Sequence, residues 1–126
     1  MINVRVFKAP DDPEACMRFY EGHLKLLEIY FGIAKITSGS ADWMHHEDTI
    51  VVIVENEDGT KTYGGARVQL ADGQLPLPIE TAIGKYDPKI HTYVRKGSAE
   101  VCGMWNSKEV AGMGIGSQIL SRVAVV

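Results

Sequence analysis

The stretch Gly112-Met113-Gly114-Ile115-Gly116-Ser117, which follows the strand-like residues 99–105, is the most informative feature of this chain. It places three glycines where a strand passes into a helix, so backbone N–H groups point outward and the first helical turn adds unpaired donors. Such a turn suits a diphosphate. A dinucleotide-binding fingerprint would need a glycine at position 117, which is Ser, and a later acidic residue, and the chain has neither. A P-loop would need a lysine in this turn, which is also missing. A turn that only packs tightly stays an alternative.

The composition is that of an ordinary single domain, which we assign to residues 1–126. With 45% apolar and 23% charged residues, the chain can bury a core. The net charge of −3 provides no basic surface for nucleic acid, and no apolar run is long enough to span a membrane. Cys16 and Cys102 fall on different predicted elements and form no disulfide framework. Together with the absence of a signal peptide, this predicts a cytoplasmic protein.

The first third of the chain predicts a strand and a helix. Alternation over residues 2–7 indicates the strand, and Asp12-Pro13 begins a helix that Gly32 ends. Apolar residues recur along that helix at helical spacing and form one side of it: Cys16, Tyr20, Leu24, Leu27 and Phe31. Its aromatic residues either line an acyl tunnel or, more commonly for such a stripe, belong to the core: Phe19, Tyr20, Tyr30 and Phe31.

The rest of the chain alternates strands with turns. Residues 37–48 predict a loop, and residues 49–54 and 61–70 predict strands joined by a turn at 57–59. Gly64-Gly65 inside the second strand indicates a bulge or a close approach. Residues 71–86 predict irregular structure with a short helix at 79–83, followed by a short strand at 91–94 and the central strand at 99–105. Ser117 is predicted to cap a last helix, whose buried side is formed by Ile119, Leu120 and Val123.

The glycine turn and the strand before it resemble the acyl-CoA loop of the GNAT acyltransferases, in which the fourth strand leads into Gln/Arg-x-x-Gly-x-Gly/Ala and a helix. With Gly114-Ile115-Gly116 on the last three positions, Ala111 replaces Gln or Arg and Met113 replaces a common basic residue; a shifted register puts Glu109 at the first position. The resemblance implies an α/β (α+β) fold with a mainly antiparallel sheet and an acyl-CoA or coenzyme A co-substrate. The implied donor-binding residues are Met104, Trp105, Asn106, Ala111, Gly112, Met113, Gly114, Ile115, Gly116 and Ser117.

A second resemblance covers roughly residues 50–126. Tyr63-Gly64-Gly65-Ala66-Arg67-Val68, the later Leu75-Pro76-Leu77 and residues 99–104 resemble the acyl-homoserine-lactone and N-acyl amino acid synthases, which load longer acyl chains. Arg67 and Glu100 match the Gly-x-Ala-Arg and Glu-x-x-Arg strands of that branch, whereas Gly103 replaces the second Arg.

Glu100 and Arg67 are the residues with candidate chemical roles. Strand alternation predicts that Glu100 points to the same side as Cys102 and Met104, where apolar neighbours would raise the pKa of this candidate base. Arg67 is a candidate for binding an acceptor carboxylate, and the N–H groups near residues 104–106 would polarise the thioester carbonyl, as the resemblance implies. A solvent-facing glutamate and a surface arginine are the alternatives.

The segment His45-His46-Glu47-Asp48 suggests a metal site but does not predict one. Neighbouring side chains of an extended loop point in opposite directions, and no other His or Cys lies at ligand spacing, so we expect no metal. The resemblance to the lactone synthases implies instead an acidic edge that binds the acceptor, formed by Asp42, Glu47 and Asp48. Cys102 lacks a neighbouring His and is not expected to be a nucleophile.

The predicted order of elements matches the first two-thirds of a GNAT domain, without the fifth strand, fourth helix and closing hairpin. We therefore expect a homodimer, or a further chain that completes the fold, and the apolar end of residues 123–126 favours association. The predicted reaction is acyl transfer from acyl-CoA or acyl carrier protein to a primary amine. A plain N-acetyltransferase and a catalytically silent acyl-CoA- or protein-binding module remain alternatives.

Overall fold

The computed structural model describes residues 2–32, 41–71, 75–95 and 97–125. Strand β1 is Ile2–Lys8, β2 is Thr49–Asn56, β3 is Thr62–Leu70 and β4 is Ala99–Asn106. The helices are α1 at Pro13–Phe31, α2 at Pro78–Ile83, α3 at Ile90–Tyr93 and α4 at Ser121–Val123, the last of which continues a π-helical segment, Ile115–Leu120. Short 3₁₀ turns lie at Ala9–Asp11, Asp42–His45 and Lys108–Val110.

The four strands form one antiparallel sheet in the order β1-β2-β3-β4. This confirms the predicted mixed fold with an antiparallel sheet and flanking helices. Because each strand pairs with its neighbour in the chain, β4 lies at the edge of the sheet formed by the described residues, so its prediction as the central strand was wrong.

The sheet has a core on each face. On one face, α1 packs against β3 and the end of β4, and the buried side chains include Phe19, Trp43, Ile53 and Trp105. On the other face the buried residues come from β2 and from the segment after β4, namely Val52, Val54, Val110, Ile115 and Leu120. Side chains of alternate strand residues therefore reach two separate environments.

Helix α1 begins and ends where the sequence predicts. The Asp12 side chain accepts a hydrogen bond from the Ala15 N–H at 3.1 Å, and Gly32 ends the helix at φ +63°. The buried stripe, however, does not reach the last turn, where Tyr30 and Phe31 are 54% and 69% exposed. Including Phe31 in the buried side was therefore wrong, and among the aromatic residues Phe19 belongs to the core.

Three local predictions are confirmed. The turn at 57–59 closes through the Gly59 N–H, which donates to the Asn56 carbonyl at 3.1 Å. The short helix near 79–83 is α2. Gly64 and Gly65 lie at irregular pairings of β3, and a Cβ on Gly65 would lie 2.6 Å from Phe19 Cδ2, so a close approach does require glycine here.

Two further predictions were wrong. Residues 91–94 do not form a strand, because residues 91–93 lie in α3 and Val94 ends it. The helical turn forms because Pro88 restricts the backbone and the Asp87 side chain accepts a hydrogen bond from the Lys89 N–H at 3.1 Å. Ser117 does not cap a helix, because it lies inside the π-helical segment that Gly114 begins at φ +79°. The described part of the predicted loop 37–48 contains the Asp42–His45 turn, and its residues 37–40 lie outside the described residues.

Candidate active site

A bulge in β4 organises the site. Arg67 pairs with Cys102 and Gly65 pairs with Trp105, so the two residues Gly103 and Met104 stand opposite the single residue between them on β3. Gly103 adopts φ +63°, a left-handed conformation that favours glycine.

The extra residue changes which side chains share a face. Before the bulge, Glu100 and Cys102 lie on the same face as α1, because they pair with Gln69 and Arg67. After the bulge Trp105 returns to that face. The prediction that Met104 shares the side of Glu100 was wrong, since simple alternation does not hold across a bulge.

Arg67 is buried rather than a surface residue. Its relative exposure is 7%, and its guanidinium lies 4.7 Å from the centre of the Trp43 ring. Arg67 Nη1 donates to Gln69 Oε1 at 3.2 Å, and the Gln69 amide in turn donates to the Pro76 carbonyl at 3.0 Å. Among the described residues, no carboxylate forms an ion pair with Arg67. A buried guanidinium with spare donors can accept a bidentate carboxylate.

Glu100 lies near the start of β4 and is half-buried. Burial raises the pKa of its carboxyl group, the Ile79 N–H and the charge of Arg67 lower it, and the nearby Glu80 raises it. Glu100 Oε1 accepts that Ile79 N–H at 2.9 Å, which ties β4 to α2. The carboxylate therefore has both a structural contact and a position beside Arg67.

Sequence reasoning missed His23. This residue lies on α1, and a Cβ built on Gly103 would be 3.9 Å from His23 Nδ1, so the imidazole lies against the bulge. Burial lowers the pKa of His23, and the charge of Arg67 lowers it further. A lone histidine on a helix carries no motif; its position four residues after Phe19 was the only available signal.

The glycine turn lies beyond the other end of β4. Gly112 and Gly114 adopt φ +81° and +79°, and Met113 between them is 63% exposed. Asn106 reaches the turn, since a Cβ on Gly116 would be 3.6 Å from Asn106 Oδ1. An exposed turn with two left-handed glycines fits a diphosphate that approaches the backbone closely.

The predicted site residues fall into two groups. Arg67 and Glu100 lie on the α1 face, with Cys102 and His23 beside them, and burial raises the pKa of the Cys102 thiol. The end of β4 at Asn106, beyond which the turn lies, is about 20 Å from Glu100, counted as six strand residues. Trp105 is only 6% exposed and belongs to the core on the α1 face, whereas Ile115 packs on the opposite face.

The proposed acidic edge borders the Arg67 environment. Asp42 and Glu47 are exposed, and Trp43, which follows Asp42, is the ring that stacks on Arg67. Within residues 2–32, 41–71, 75–95 and 97–125, no group of three His, Cys, Asp or Glu side chains is placed to hold a metal ion. No helix in those ranges is long and apolar enough to cross a membrane.

Comparison with known proteins gives a structural relative. No protein-family model and no curated protein matches this chain. The crystal structure of a GCN5-related N-acetyltransferase from Ralstonia eutropha JMP134 matches it with a TM-score of 0.50 and 13% sequence identity. The match covers 99% of this chain and 74% of that chain. At this identity the similarity shows the fold: the chain has a GNAT-like fold.

Proposed function

We propose that this protein is an N-acyltransferase that transfers an acyl group from acyl-CoA or acyl carrier protein to a primary amine. The observation that carries the proposal is the Gly103 bulge in β4, with Arg67 and Glu100 on one side and the glycine turn beyond the end of the strand. The fold shared with the GCN5-related N-acetyltransferase supports it.

The donor would lie along β4. Residues 111–117 would receive the pyrophosphate of acyl-CoA, and the N–H groups near residues 104–106 would polarise the thioester carbonyl. A bulge supports this role because it leaves backbone groups of the strand without a ladder partner. The roughly 20 Å between Glu100 and the end of β4 requires the extended arm of the donor to reach toward the bulge.

The acceptor would carry a carboxylate as well as the amine. Arg67 would bind the carboxylate, and Glu100 would remove a proton from the ammonium group. The amine nitrogen then attacks the thioester carbon, a C–N bond forms, the C–S bond breaks, and the leaving thiolate takes up the second proton that the nitrogen loses as the amide forms. The acidic edge at Asp42, Glu47 and Asp48 would attract the cationic amine.

The role of Arg67 predicts a preference among acceptors. With thiol release as the assay, an amino acid such as phenylalanine should react faster than phenethylamine, which lacks the carboxylate. Arg67→Lys should lower kcat/KM for the amino acid by roughly 10- to 100-fold, since a hydrogen-bonded charge contributes about 1.5–3 kcal/mol, and should affect phenethylamine little. Arg122→Lys, at an exposed arginine, is the matched control. Equal losses for both acceptors would contradict the assignment.

The role of Glu100 predicts a selective loss of turnover. Glu100→Gln keeps an oxygen that can accept the Ile79 N–H, so the link to α2 survives while the base is removed. We expect kcat to fall about 100-fold or more with the acyl-CoA affinity nearly unchanged. In the parent protein activity should rise with pH through the raised pKa of Glu100, because the base must be ionised.

The exposed Glu21→Gln is the control for the Glu100 variant. Unchanged turnover in Glu100→Gln would refute the assignment of the base. If His23→Gln loses turnover while Glu100→Gln does not, the imidazole that lies against the bulge is identified as the proton acceptor.

Titration with acetyl-CoA and with a long-chain acyl-CoA separates the remaining alternatives. Tighter binding of the long-chain acyl-CoA favours an enzyme that loads long acyl chains, as the acyl-homoserine-lactone and N-acyl amino acid synthases do. Tighter binding of acetyl-CoA favours a plain N-acetyltransferase. Binding without thiol release identifies a silent module. We also propose that the protein acts in the cytoplasm and that it self-associates; light scattering after gel filtration tests the self-association directly.

A further inference from the structure

A groove of about 280 Å³ lies between α1 and the ends of β3 and β4. From α1 it is lined by Lys25, Leu26 and Ile29, which share one helix face. Trp105 forms part of the opposite wall, and Gly22 gives the indole its space, because a Cβ at that position would collide with the ring. The groove therefore combines an apolar wall with a tryptophan from the sheet.

Three polar atoms of the lining residues are buried without a hydrogen-bond partner among the described residues. They are Trp105 Nε1, Ser107 Oγ and Thr62 Oγ1. Trp105 is only 6% exposed, and its indole N–H can only donate. Since buried polar groups are nearly always hydrogen-bonded, these atoms indicate a ligand that carries a hydrogen-bond acceptor.

The charges around the groove favour an anion. Lys61 is paired with Glu109 at 2.6 Å, but no carboxylate of the described residues pairs with Lys25 or Lys108. Lys108 lies 5.2 Å from the centre of the Tyr30 ring. Two unbalanced cations thus border the groove of a chain whose net charge is −3.

We infer that this groove binds a short-chain carboxylate. One carboxylate oxygen accepts the hydrogen bond of Trp105 Nε1, Lys25 and Lys108 balance the charge, and the hydrocarbon chain covers Leu26 and Ile29. The volume equals that of about nine water molecules, which suits a chain of roughly six carbons. Inorganic phosphate would leave the apolar wall uncovered.

The groove lies at the Trp105 end of β4, whereas Arg67 and Glu100 lie nearer the start of the strand on the same face. The groove is on the α1 face, whereas Ile115 and Leu120, which follow the glycine turn, pack on the opposite face of the sheet. Binding of a carboxylate here does not depend on acyl-CoA, so its test is independent of whether the protein transfers acyl groups.

Titration of the full, ¹⁵N-labelled chain with hexanoate tests the inference. The Trp43→Phe variant assigns the two indole N–H cross-peaks. We expect the Trp105 peak to shift saturably with hexanoate and to stay nearly unchanged with 1-hexanol or hexylamine. If the Trp105 peak shows no saturable shift with hexanoate at concentrations up to the order of 10 mM, the proposal is overturned. A shift of the Trp105 peak by 1-hexanol equal to that by hexanoate would also overturn the proposal. If inorganic phosphate shifts the peak as effectively as hexanoate, the groove is an adventitious anion site only and the proposal fails.

Lysine variants test the charges. Lys25→Met and Lys108→Met should each weaken hexanoate binding about fivefold, since both ion pairs would be partly exposed to solvent. The exposed Lys89→Met, away from the groove, is the matched control and should bind hexanoate as the parent does. Affinities in Lys25→Met and Lys108→Met equal to that of Lys89→Met would refute the role of the two lysines and with it the carboxylate site.

Discussion

Replacing Gly65 with alanine should destabilise the protein strongly. The new Cβ would lie 2.6 Å from Phe19 Cδ2 and 2.7 Å from the Val52 carbonyl oxygen, well inside normal contact distances. Neither neighbour can move easily, because the Phe19 ring is buried and Val52 belongs to the adjacent strand. Overpacking of this kind costs about 1–3 kcal/mol, and with two fixed neighbours we expect about 3 kcal/mol. For a domain of this size, that lowers Tm by roughly 10 °C.

Urea denaturation followed by circular dichroism measures this loss. Gly116→Ala is the matched control, since the nearest atom to its new Cβ is 3.6 Å away, and its free energy of unfolding should change by less than about 0.5 kcal/mol. Adding Phe19→Leu to Gly65→Ala should recover part of the loss, because the two changes share one contact. If Gly65→Ala is no less stable than Gly116→Ala, the packing argument is refuted.

Two further predictions concern the N-terminal region. Asp12→Ala should lower the free energy of unfolding at pH 7 by about 1–2 kcal/mol, because Asp12 caps α1 and pairs with Arg5. Its hydrogen bond from the Ala15 N–H, helped by Arg5, holds the pKa of Asp12 below the ordinary 3.8. This stabilisation is therefore complete above pH 3.8 and is lost as the pH falls through the lowered pKa, so the melting temperatures of parent and variant should converge in acid. Separately, burial and then the charge of Asp12 raise the pKa of Cys16 to about 11. In a Cys102→Ala background, Cys16 of the folded protein should react with a disulfide reagent at pH 8 about 100-fold more slowly than a free thiol. Once the protein is unfolded in urea, Cys16 should react at the rate of a free thiol. Rapid labelling of the folded protein would contradict the burial of Cys16.

Features encoded by neighbouring residues could be predicted from the sequence. Both ends of α1 follow from Asp12 and Gly32, whose signals act within one helical turn. The same reasoning could have found α3, because Asp87-Pro88 repeats the Asp12-Pro13 pattern, but the β-branched residues that follow favoured a strand.

Features that depend on strand pairing could not be predicted in this way. The sequence around Gly103 does not say which residue of β3 stands opposite, so the return of Trp105 to the face of Glu100 was missed. His23 was missed for the same reason, since its position against the bulge arises when α1 packs on the sheet. The roles of Arg67 and Glu100 stay predictions, although their common face is a finding of the structure.

The β4 bulge also constrains how this chain can vary by insertion and deletion. Between the Cys102 and Trp105 pairings, β4 holds one residue more than β3. Deleting Met104 would leave a regular ladder in which Cys102 and Trp105 keep their pairings and their face. Deleting Val101 instead would place Glu100 next to Cys102 in the chain and therefore on the opposite face from Arg67, although neither Glu100 nor Arg67 had changed. Relatives of this chain that keep the site should therefore keep the spacing between Glu100 and Cys102 more strictly than the bulge residue itself.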